Sequence, residues 1–312
     1  MTTRTTLHDY LDLVRAPAVL SVLGDTLAGG AAAGHRPTPR RVALPLASAC
    51  LYAGGMALND YADRDLDARE RPERPIPSGR VSPSRALAVA GGLTTAGLGL
   101  AAVGGGARSV VVAVPLAASV WTYDLAAKNH PTGPAVMAAC RGLDVLMGAG
   151  RGRLRAALPA AAAVAAHTAG VTVLSRGEVH GTTPRAAAGV AAGTTLVVGA
   201  VVAGVLADRR RSAAAGAGRR TGAATALAAT GAAVLYAATC LPAQLDAVQV
   251  PSADRAFTAT KAGIRAMVPL QAAWAARGGS LGSVGVLAGV EVAGRLLRRA
   301  ARRPGRAEMS ET

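Results

Sequence analysis

The apolar residues of this chain gather into ten blocks of roughly 17–22 residues, which polar segments separate. Each block is long enough to cross a ~30 Å hydrocarbon layer as an α-helix. Lipid offers no hydrogen-bond partner to an open backbone, so the blocks are expected to be helices. The chain is therefore predicted to be an all-α, multi-pass protein of the cell membrane. The blocks lie at residues 13–33, 41–60, 84–104, 107–123, 133–150, 156–175, 186–207, 221–241, 257–276 and 280–297.

Nine or ten spanning helices are predicted, because the last two blocks are less regular than the others. Lys261 and Arg265 interrupt the ninth block, and the tenth is short and ends in a basic run. All of them are assigned to a single transmembrane domain over residues 1–297, in which residues 1–12 form a short helix at the membrane surface. The basic segment 298–312 is expected to be a disordered tail.

The composition separates this chain from soluble proteins and from nucleic-acid-binding proteins. Only 17% of its residues are charged, whereas a soluble domain carries about 25%. The net charge is +16, but most arginines lie between the apolar blocks, where charges face lipid headgroups. Membrane lipid is thus expected as a partner, and nucleic acid is not. Cys50, Cys140 and Cys240 lie inside apolar blocks without metal-ligand spacing, which favours buried small side chains.

Three polar connections between the blocks are expected to meet on one side of the membrane. They cover residues 61–83, 124–132 and 175–185, and they are the second, fourth and sixth connections of the chain. Even-numbered connections of a multi-span bundle all lie on the same side. Arginines are nearly balanced between the even and the odd connections, so the positive-inside rule does not orient the bundle by itself.

The strongest local pattern is an acidic run at the end of the second block. At about 100° per residue on a helix, four oxygen-bearing side chains share one sector of about 100°. Like charges this close repel one another unless a cation neutralises them, and hard oxygen ligands suit Mg²⁺. The run therefore predicts a magnesium site, with Asp65 pointing to the opposite side of the helix. The side chains that share the sector are Asn59, Asp60, Asp63 and Asp67.

An EF-hand loop and a solvated acidic loop are the alternatives to this magnesium site. Asp63, Asp65 and Asp67 match the first ligand positions of an EF-hand. The sixth and twelfth positions would be Ala68 and Arg74, where an EF-hand has Gly and Glu, so this interpretation fails. The solvated loop stays open, although charges at the end of a membrane helix usually have a function.

A proline-rich turn follows the acidic run. Pro72, Pro75 and Pro77 end the helix and stiffen an extended segment. The turn is expected to hold Arg74 and Arg80 beside the carboxylates, where the two cations would complete a clamp for a diphosphate. The alternative is a basic loop that faces lipid headgroups.

These segments resemble the UbiA superfamily of intramembrane prenyltransferases. The spacing Asn-Asp-x-x-Asp-x-x-x-Asp over residues 59–67, with Arg-Pro-x-Pro-Ser-Gly over residues 74–79, is similar to the first signature of that family. Arg15-Ala16-Pro17 at the start of the first block also resembles the family, and so does Tyr-Asp-Leu-Ala-Ala-Lys at residues 123–128. The chain looks like a divergent branch of the family found among bacteria.

The resemblance implies a bundle around a central cavity and a prenyl diphosphate as substrate. Magnesium held by Asp60, Asp63 and Asp67 would bridge to the diphosphate, and Lys128 and Arg74 would contact the leaving group. Ionisation of the allylic C–O bond would give a carbocation that alkylates an unidentified small-molecule or lipid acceptor, with metal and cations stabilising the departing charge. The other side chains expected to contact substrate here are Asn59, Arg80 and Tyr123.

The sixth connection departs from the family pattern. Where the family has a second aspartate-rich motif, residues 174–180 read Leu-Ser-Arg-Gly-Glu-Val-His, in which only Glu178 is a carboxylate. A complete two-metal site is therefore not expected. Arg176 is expected to replace one metal cation electrostatically, and Glu178 to lie near the substrate. Because an anionic substrate of this kind is made in the cytoplasm, the even connections are expected on that side.

Three further residues have two interpretations each. Arg141 and Asp144 face the same way in an otherwise apolar helix, so this charge pair lines the substrate cavity or forms a structural bridge. Tyr123 contacts the diphosphate or lies at the membrane interface.

Three functions agree with these features. The first is a Mg²⁺-dependent transfer of an isoprenyl group from a prenyl diphosphate to an acceptor. The second is an intramembrane terpene cyclase, which shares the ionisation step but needs no acceptor. The third is a non-catalytic lipid-carrier or transport-associated protein, an interpretation that the depleted sixth connection favours.

Overall fold

The computed structural model of the chain describes residues 5–214 and 219–301, and within these ranges it is built from helices and contains no strand. Short 3₁₀ turns at Ala16–Ser21, Pro39–Val42 and Arg151–Arg153 join some of the helices, and a π-helical turn at Tyr123–Ala127 extends another. The helices are α1 (Leu7–Leu13), α2 (Leu23–Ala32), α3 (Ala43–Glu70), α4 (Pro83–Gly105), α5 (Ala107–Thr122), α6 (Gly133–Ala149), α7 (Leu154–Ser175), α8 (Pro184–Ala214), α9 (Arg219–Gln249), α10 (Ala253–Arg277) and α11 (Leu281–Ala301).

Every apolar block of the sequence is helical, so the all-α multi-pass architecture is confirmed. The number of spans differs from the expected nine or ten. In the described part of the chain, six helices are long and apolar enough to cross a membrane by length and composition, namely α3, α4, α5, α7, α8 and α9. The first block is divided into a 3₁₀ turn and the ten-residue α2. The seventeen-residue α6 carries Arg141 and Asp144, and α10 carries Lys261 and Arg265, so neither is uniformly apolar.

Local sequence explains where several helices begin. The Thr6 hydroxyl accepts a hydrogen bond from the backbone N–H of Asp9, whose carboxylate accepts one from the Thr6 N–H, so α1 starts with a capping box. Ser82 and Ser252 cap α4 and α10 in the same manner with their hydroxyls. Of the helix expected over residues 1–12, the part from Leu7 is present, and residues 1–4 lie outside the described residues. Its location at the membrane surface stays a prediction.

Helix α2 is the central element of the bundle, packing against α3, α6, α7, α10 and α11. Glycine allows the closest of these contacts. A Cβ on Gly29 of α2 would lie 1.8 Å from the carbonyl oxygen of Val145, and one on Gly148 of α6 would lie 2.2 Å from that of Thr26. Small residues at the interface thus let the two backbones touch, as is common between membrane helices. Side chains of α6, together with Val22 just before α2, line a cavity that α3 also lines.

The end of the chain is described only in part. Helix α11 continues to Ala301, and residues 302–312 lie outside the described residues. The disordered tail expected over residues 298–312 therefore stays a prediction.

Candidate functional site

The acidic run of the sequence lies on the C-terminal part of α3, which continues as one helix to Glu70. Asp60 and Asp67 are buried, with 3% and 2% of their surface exposed. Asp65 points the other way: its side chain is 85% exposed and lies 3.7 Å from the guanidinium of Arg64. The helix therefore separates the inward carboxylates from a solvated one, as the spacing predicted.

Arg74 joins two of the inward carboxylates. Its Nη1 lies 3.2 Å from Oδ1 of Asp60 and 3.0 Å from Oδ2 of Asp67, and its side chain is only 12% exposed. The turn between α3 and α4 returns to the helix through hydrogen bonds from Arg71 N–H to the Asp67 carbonyl and from Arg74 N–H to the Arg71 carbonyl. The proline-rich segment thus brings Arg74 to the carboxylates, and the alternative of a lipid-facing loop does not describe this residue.

Arg15 is a second cation at Asp60, with Nη2 3.3 Å from Oδ1. Its backbone has φ 47° and ψ 53°, and it is the one non-glycine residue of the described ranges with a positive φ. Such a left-handed conformation costs on the order of 1–3 kcal/mol, and it persists where the surrounding structure requires it. Here it turns the chain between α1 and the first 3₁₀ turn, and the side chain reaches Asp60.

Lys128 approaches the same face of α3 from the other side. Its Nζ lies 2.5 Å from Oδ1 of Asp63 and donates a hydrogen bond of 3.4 Å to Oδ1 of Asn59. The π-helical turn that precedes it ends with a hydrogen bond from the Lys128 N–H to the Tyr123 carbonyl. Single π-turns inside helices often occur at functional sites. We call the resulting set of side chains the ion-pair cluster: Arg15, Asp60, Asp63, Asp67, Arg74 and Lys128.

The second, fourth and sixth connections meet at this cluster, as expected from their parity. Lys128 of the fourth contacts α3 at the start of the second. Arg176 of the sixth donates hydrogen bonds to the carbonyls of His130, at 2.5 Å, and Lys128, at 3.4 Å. Arg176 therefore holds the turn that carries Lys128 and is not aimed at the carboxylates of α3.

Glu178 lies in the same connection, half-buried, with Arg71 and Lys261 as its cationic neighbours. Burial raises the pKa of Glu178 above its ordinary value of 4.5, against the opposing effect of these charges. The residue also has a hydrogen bond with Thr260, so it lies next to α10. Its expected contact with substrate stays a prediction.

Arg80 does not join the ion-pair cluster. Its Nη1 donates to carboxylate oxygens of Asp9, at 2.7 Å, and Asp12, at 3.1 Å, both in α1. These bonds raise the pKa of the Arg80 guanidinium, although burial alone would lower it. The residue expected beside the α3 carboxylates thus fastens the turn to the surface helix.

A cavity of about 80 Å³ lies further along α3 from the ion-pair cluster, and we call it the central cavity. Most of its wall is apolar, from Leu51, Met56 and Met137 among others. The polar side chains that line it are those of Ser48, Tyr52, Tyr123, Asp124, Arg141 and Asp144. Tyr123 therefore lies at the cavity wall, and its contact with a diphosphate stays a prediction.

Arg141 and Asp144 both line the central cavity, and their contact with substrate stays a prediction. Arg141 forms its buried ion pair with Asp25, in place of the expected bridge to Asp144. Its Nε lies 2.9 Å from Oδ2 of Asp25, which is fully buried. Gln271 donates a hydrogen bond of 2.7 Å to the other oxygen of Asp25. Asp144 accepts a bond of 2.6 Å from the hydroxyl of Ser48.

Sequence reasoning missed four residues of this region. Arg15 was noted only as part of a motif, and its pairing with Asp60 needs the turn after α1. Asp25 is a single carboxylate within an apolar block, a signal that could have marked it as functional. Asp124 stands in the motif at residues 123–128, but its burial is not evident from the sequence. Gln271 carries no comparable signal, since an uncharged amide in a helix is not unusual.

The donor set suits magnesium. Within residues 5–214 and 219–301, no group of three or more His, Cys, Asp or Glu side chains converges closely enough to hold a metal by itself. Mg²⁺ usually takes only one or two protein carboxylates and completes its shell with substrate phosphates and water. Asp60 and Asp67 already converge on one positive group, the Arg74 guanidinium. Two carboxylates therefore face a position that favours a cation.

The sequence matches the description "UbiA prenyltransferase family" over residues 22–248. Among curated relatives, a digeranylgeranylglyceryl phosphate synthase of Methanopyrus kandleri is 44% identical over 95 residues, which are 30% of this chain and 35% of the relative. One of the same name from Ignicoccus hospitalis is 43% identical over 97 residues, or 30% and 32% of the two chains. The chain thus spans about a third of the length of these curated relatives. Both are archaeal, so the bacterial branch stays a prediction.

Solved structures share the fold over nearly the whole chain. A UbiA homologue from Archaeoglobus fulgidus bound to DMAPP and Mg²⁺ has a TM-score of 0.61 at 16% identity, covering 89% of this chain and 99% of its own. The apo structure of a UbiA homologue from Aeropyrum pernix has a TM-score of 0.57 at 19% identity, covering 90% and 98%. At sequence identities this low, the similarity shows a shared fold and nothing more.

Proposed function

The chain belongs to the UbiA prenyltransferase family, and on that premise we propose that it transfers an isoprenyl group from a prenyl diphosphate to a hydroxyl-bearing acceptor. It is a multi-pass membrane protein, with six helices long and apolar enough to span a bilayer among its described residues. Both substrates would therefore reach the site from the membrane.

The ion-pair cluster carries this proposal. Three carboxylates and three cations lie within 3.3 Å of a partner there, and most of these side chains are largely buried. A compact, largely buried cluster of positive and negative side chains suits a diphosphate that binds together with a metal ion. The cations of Arg15, Arg74 and Lys128 would bind the diphosphate oxygens, and the carboxylates would bind the metal. Cations held in place before the reaction stabilise charge on the leaving group efficiently, because little reorganisation is needed.

Magnesium is proposed as the cofactor. One or two of the carboxylates of Asp60, Asp63 and Asp67 would hold it, together with the oxygens of the diphosphate. A homologue from Archaeoglobus fulgidus binds Mg²⁺ together with DMAPP, and another structure of that protein contains GPP and Mg²⁺. When bound, the metal would neutralise charge that develops on the departing diphosphate. The chain's own contribution is to place the cations of Arg15, Arg74 and Lys128 against these carboxylates.

The acceptor is proposed to be a lipid-soluble molecule with a free hydroxyl group. The curated relatives are named for a product that carries two geranylgeranyl groups on glyceryl phosphate. The central cavity beside the ion-pair cluster supports a small polar group among apolar walls. Geranylgeranylglyceryl phosphate and its phosphate-free glycerol ether are therefore suitable acceptor probes.

The test is diphosphate release from geranyl diphosphate and geranylgeranyl diphosphate with Mg²⁺, using the full chain in lipid nanodiscs. Asp63→Asn removes the carboxylate that Lys128 pairs with, and release is expected to fall by about 100-fold. Asp65→Asn is the matched control, because its carboxylate is exposed on the opposite side of α3. It is expected to stay within about twofold of the wild type.

Three other outcomes would contradict the proposal. Turnover by Asp63→Asn at the wild-type rate would show that the reaction does not use the ion-pair cluster. Cyclic products formed from the diphosphate alone would identify a terpene cyclase. Saturable diphosphate binding without release would identify a non-catalytic carrier.

A further inference from the structure

Asp124 is a buried carboxylate at the wall of the central cavity, in the π-helical turn one helical turn before Lys128. Only 3% of its surface is exposed. Within the described ranges no side chain or backbone group forms a hydrogen bond or an ion pair with it. A buried charge of this kind is costly unless a partner neutralises it. An unpaired carboxylate in such a place indicates a group that the reaction uses.

The other carboxylates near the central cavity each have a hydrogen-bond or ion-pair partner. Asp144 accepts the hydroxyl of Ser48, and Asp25 pairs with Arg141 and accepts from Gln271. Each aspartate of the ion-pair cluster has its own cation. Asp124 is therefore the one carboxylate that the described part of the chain presents to the central cavity without a partner.

The carboxylate of Asp124 has α3 on one side and the ion-pair cluster on another. A Cβ on Gly55 of α3 would lie 3.5 Å from Oδ2 of Asp124 and 2.8 Å from Cγ1 of Val120. The carboxylate of Asp124 therefore lies beside α3 at Gly55. The charged groups that face it are Lys128, Asp63, Arg15 and Asp60, all of the ion-pair cluster. Asp124 thus stands between the proposed diphosphate site and the cavity.

We propose that Asp124 accepts the proton of the acceptor hydroxyl during prenyl transfer, an inference that rests on the proposed function. In this step the allylic C–O bond breaks, and its electron pair leaves with the diphosphate. The acceptor oxygen forms the new bond to the same carbon, and its proton passes to a carboxylate oxygen of Asp124. The products are a prenyl ether, diphosphate and a protonated carboxyl, so atoms and charges balance without another reactant.

The position of Asp124 serves this step in two ways. A negative carboxylate attracts the positive charge that develops on the allylic carbon, and it repels an anionic group at that point. The group that reaches the reacting carbon is therefore a neutral hydroxyl, and any phosphate of the acceptor lies elsewhere. A base close to the acceptor in a site with little water also contributes directly to the rate, by about 10²–10⁴-fold for general bases.

The experiment compares donor binding with transfer, using geranylgeranyl diphosphate, Mg²⁺ and the two acceptor probes on the full chain in nanodiscs. Asp124→Asn retains the shape of the side chain. It is expected to bind the donor within about threefold of the wild type, and to form prenyl ether about 100-fold more slowly. Asp65→Asn is the matched control and is expected to show neither change.

Chemical rescue separates a proton acceptor from a residue that only supports the fold. Asp124→Ala opens space next to the central cavity, and added formate is expected to raise its transfer rate at least about tenfold. Formate is expected to have no effect on the wild type or on Asp63→Asn. Asp124→Glu, which restores a carboxylate, is expected to be more active than Asp124→Asn.

Each remaining outcome would overturn the inference. Transfer by Asp124→Asn at the wild-type rate would show that the carboxylate takes no proton, and loss of donor binding together with transfer would make it part of the diphosphate site. Failure of formate to rescue Asp124→Ala would contradict the role of Asp124 as proton acceptor. A wild type that releases diphosphate but prenylates neither hydroxyl probe would contradict it as well. A wild type that releases no diphosphate would instead contradict the proposed function itself.

Discussion

The ammonium nitrogen of Lys128 lies 2.5 Å from a carboxylate oxygen of Asp63 and thereby joins the end of α5 to α3. Because Lys128 is the cation that the fourth connection adds to the ion-pair cluster, Lys128→Met is expected to weaken binding of geranyl diphosphate by about tenfold or more. Calorimetric titration of the protein in detergent with geranyl diphosphate and Mg²⁺ measures this effect.

The control for that substitution is Arg69→Met. Arg69 is an exposed residue in the last turn of α3, so its loss removes one positive charge near the site without touching the cluster. Equal weakening by both variants would mean that net charge, and not the position of Lys128, governs binding.

The helical spacing of the acidic run was predictable because it is local: residues 59–67 follow one helix, whose periodicity determines which carboxylates share a face. The meeting of the three polar connections was predictable as well, because every second connection between the apolar blocks was expected on the same side. The position of Arg80 was not predictable from the sequence. Its partners Asp9 and Asp12 lie in α1, and a pairing over so long a separation leaves no local pattern in the sequence.

The same reasoning applies to the interior of the bundle. Asp25, Arg141 and Gln271 come from α2, α6 and α10 and meet only because these helices pack together. Length and apolarity predict helices well but the number of spans poorly, since Arg141 and Asp144 of α6 are charged residues that lie inside the protein. The π-helical turn at Tyr123–Ala127 has no sequence signature, and it determines where Asp124 and Lys128 point.

The buried pair of Arg141 and Asp25 predicts a large loss of stability when one partner is removed. Arg141→Met leaves the fully buried Asp25 without its cation, which is expected to cost about 3–5 kcal/mol. Asp25→Asn combined with Arg141→Met is expected to regain part of this loss, since no unpaired charge is left. Thermal unfolding in detergent measures both.

Arg255→Met provides the comparison for the buried pair. Its ion pair with Asp246 is 3.2 Å long, and both side chains are about half exposed, at 46% and 54%. Such a pair contributes about 0–1 kcal/mol. A loss of similar size in Arg255→Met and Arg141→Met would contradict the role of burial.

The contact of α1 with the turn after α3 is expected to weaken in acid. The hydrogen bond from the Thr6 backbone, the Thr6 hydroxyl and the Arg80 guanidinium lower the pKa of Asp9 from 3.8 to about 2. Because the folded pKa is below the unfolded one, the stabilisation is complete above about pH 4 and is lost as the pH falls towards 2. Asp9→Asn is therefore expected to lower the Tm at pH 7, and the difference from the wild type is expected to shrink between pH 4 and pH 2.

Asp246→Asn is the control for Asp9→Asn, because it removes an aspartate from an exposed ion pair. Its Tm is expected to stay near that of the wild type throughout this range. A difference between Asp9→Asn and the wild type that grows towards pH 2 would contradict the assignment.

The close contact of α2 and α6 predicts opposite effects for two glycine substitutions. Alanine favours a helix over glycine by about 1 kcal/mol. At Gly92, in the middle of α4, a Cβ meets nothing within 4 Å, so Gly92→Ala is expected to raise the Tm slightly.

At Gly148 the Cβ would lie 2.2 Å from the Thr26 carbonyl oxygen, and overpacking of this kind costs about 1–3 kcal/mol. Gly148→Ala is therefore expected to lower the Tm in detergent, and because α6 carries Arg141, to reduce diphosphate release as well. Shifts of the same sign in the two variants would mean that the backbones of α2 and α6 do not touch at this position.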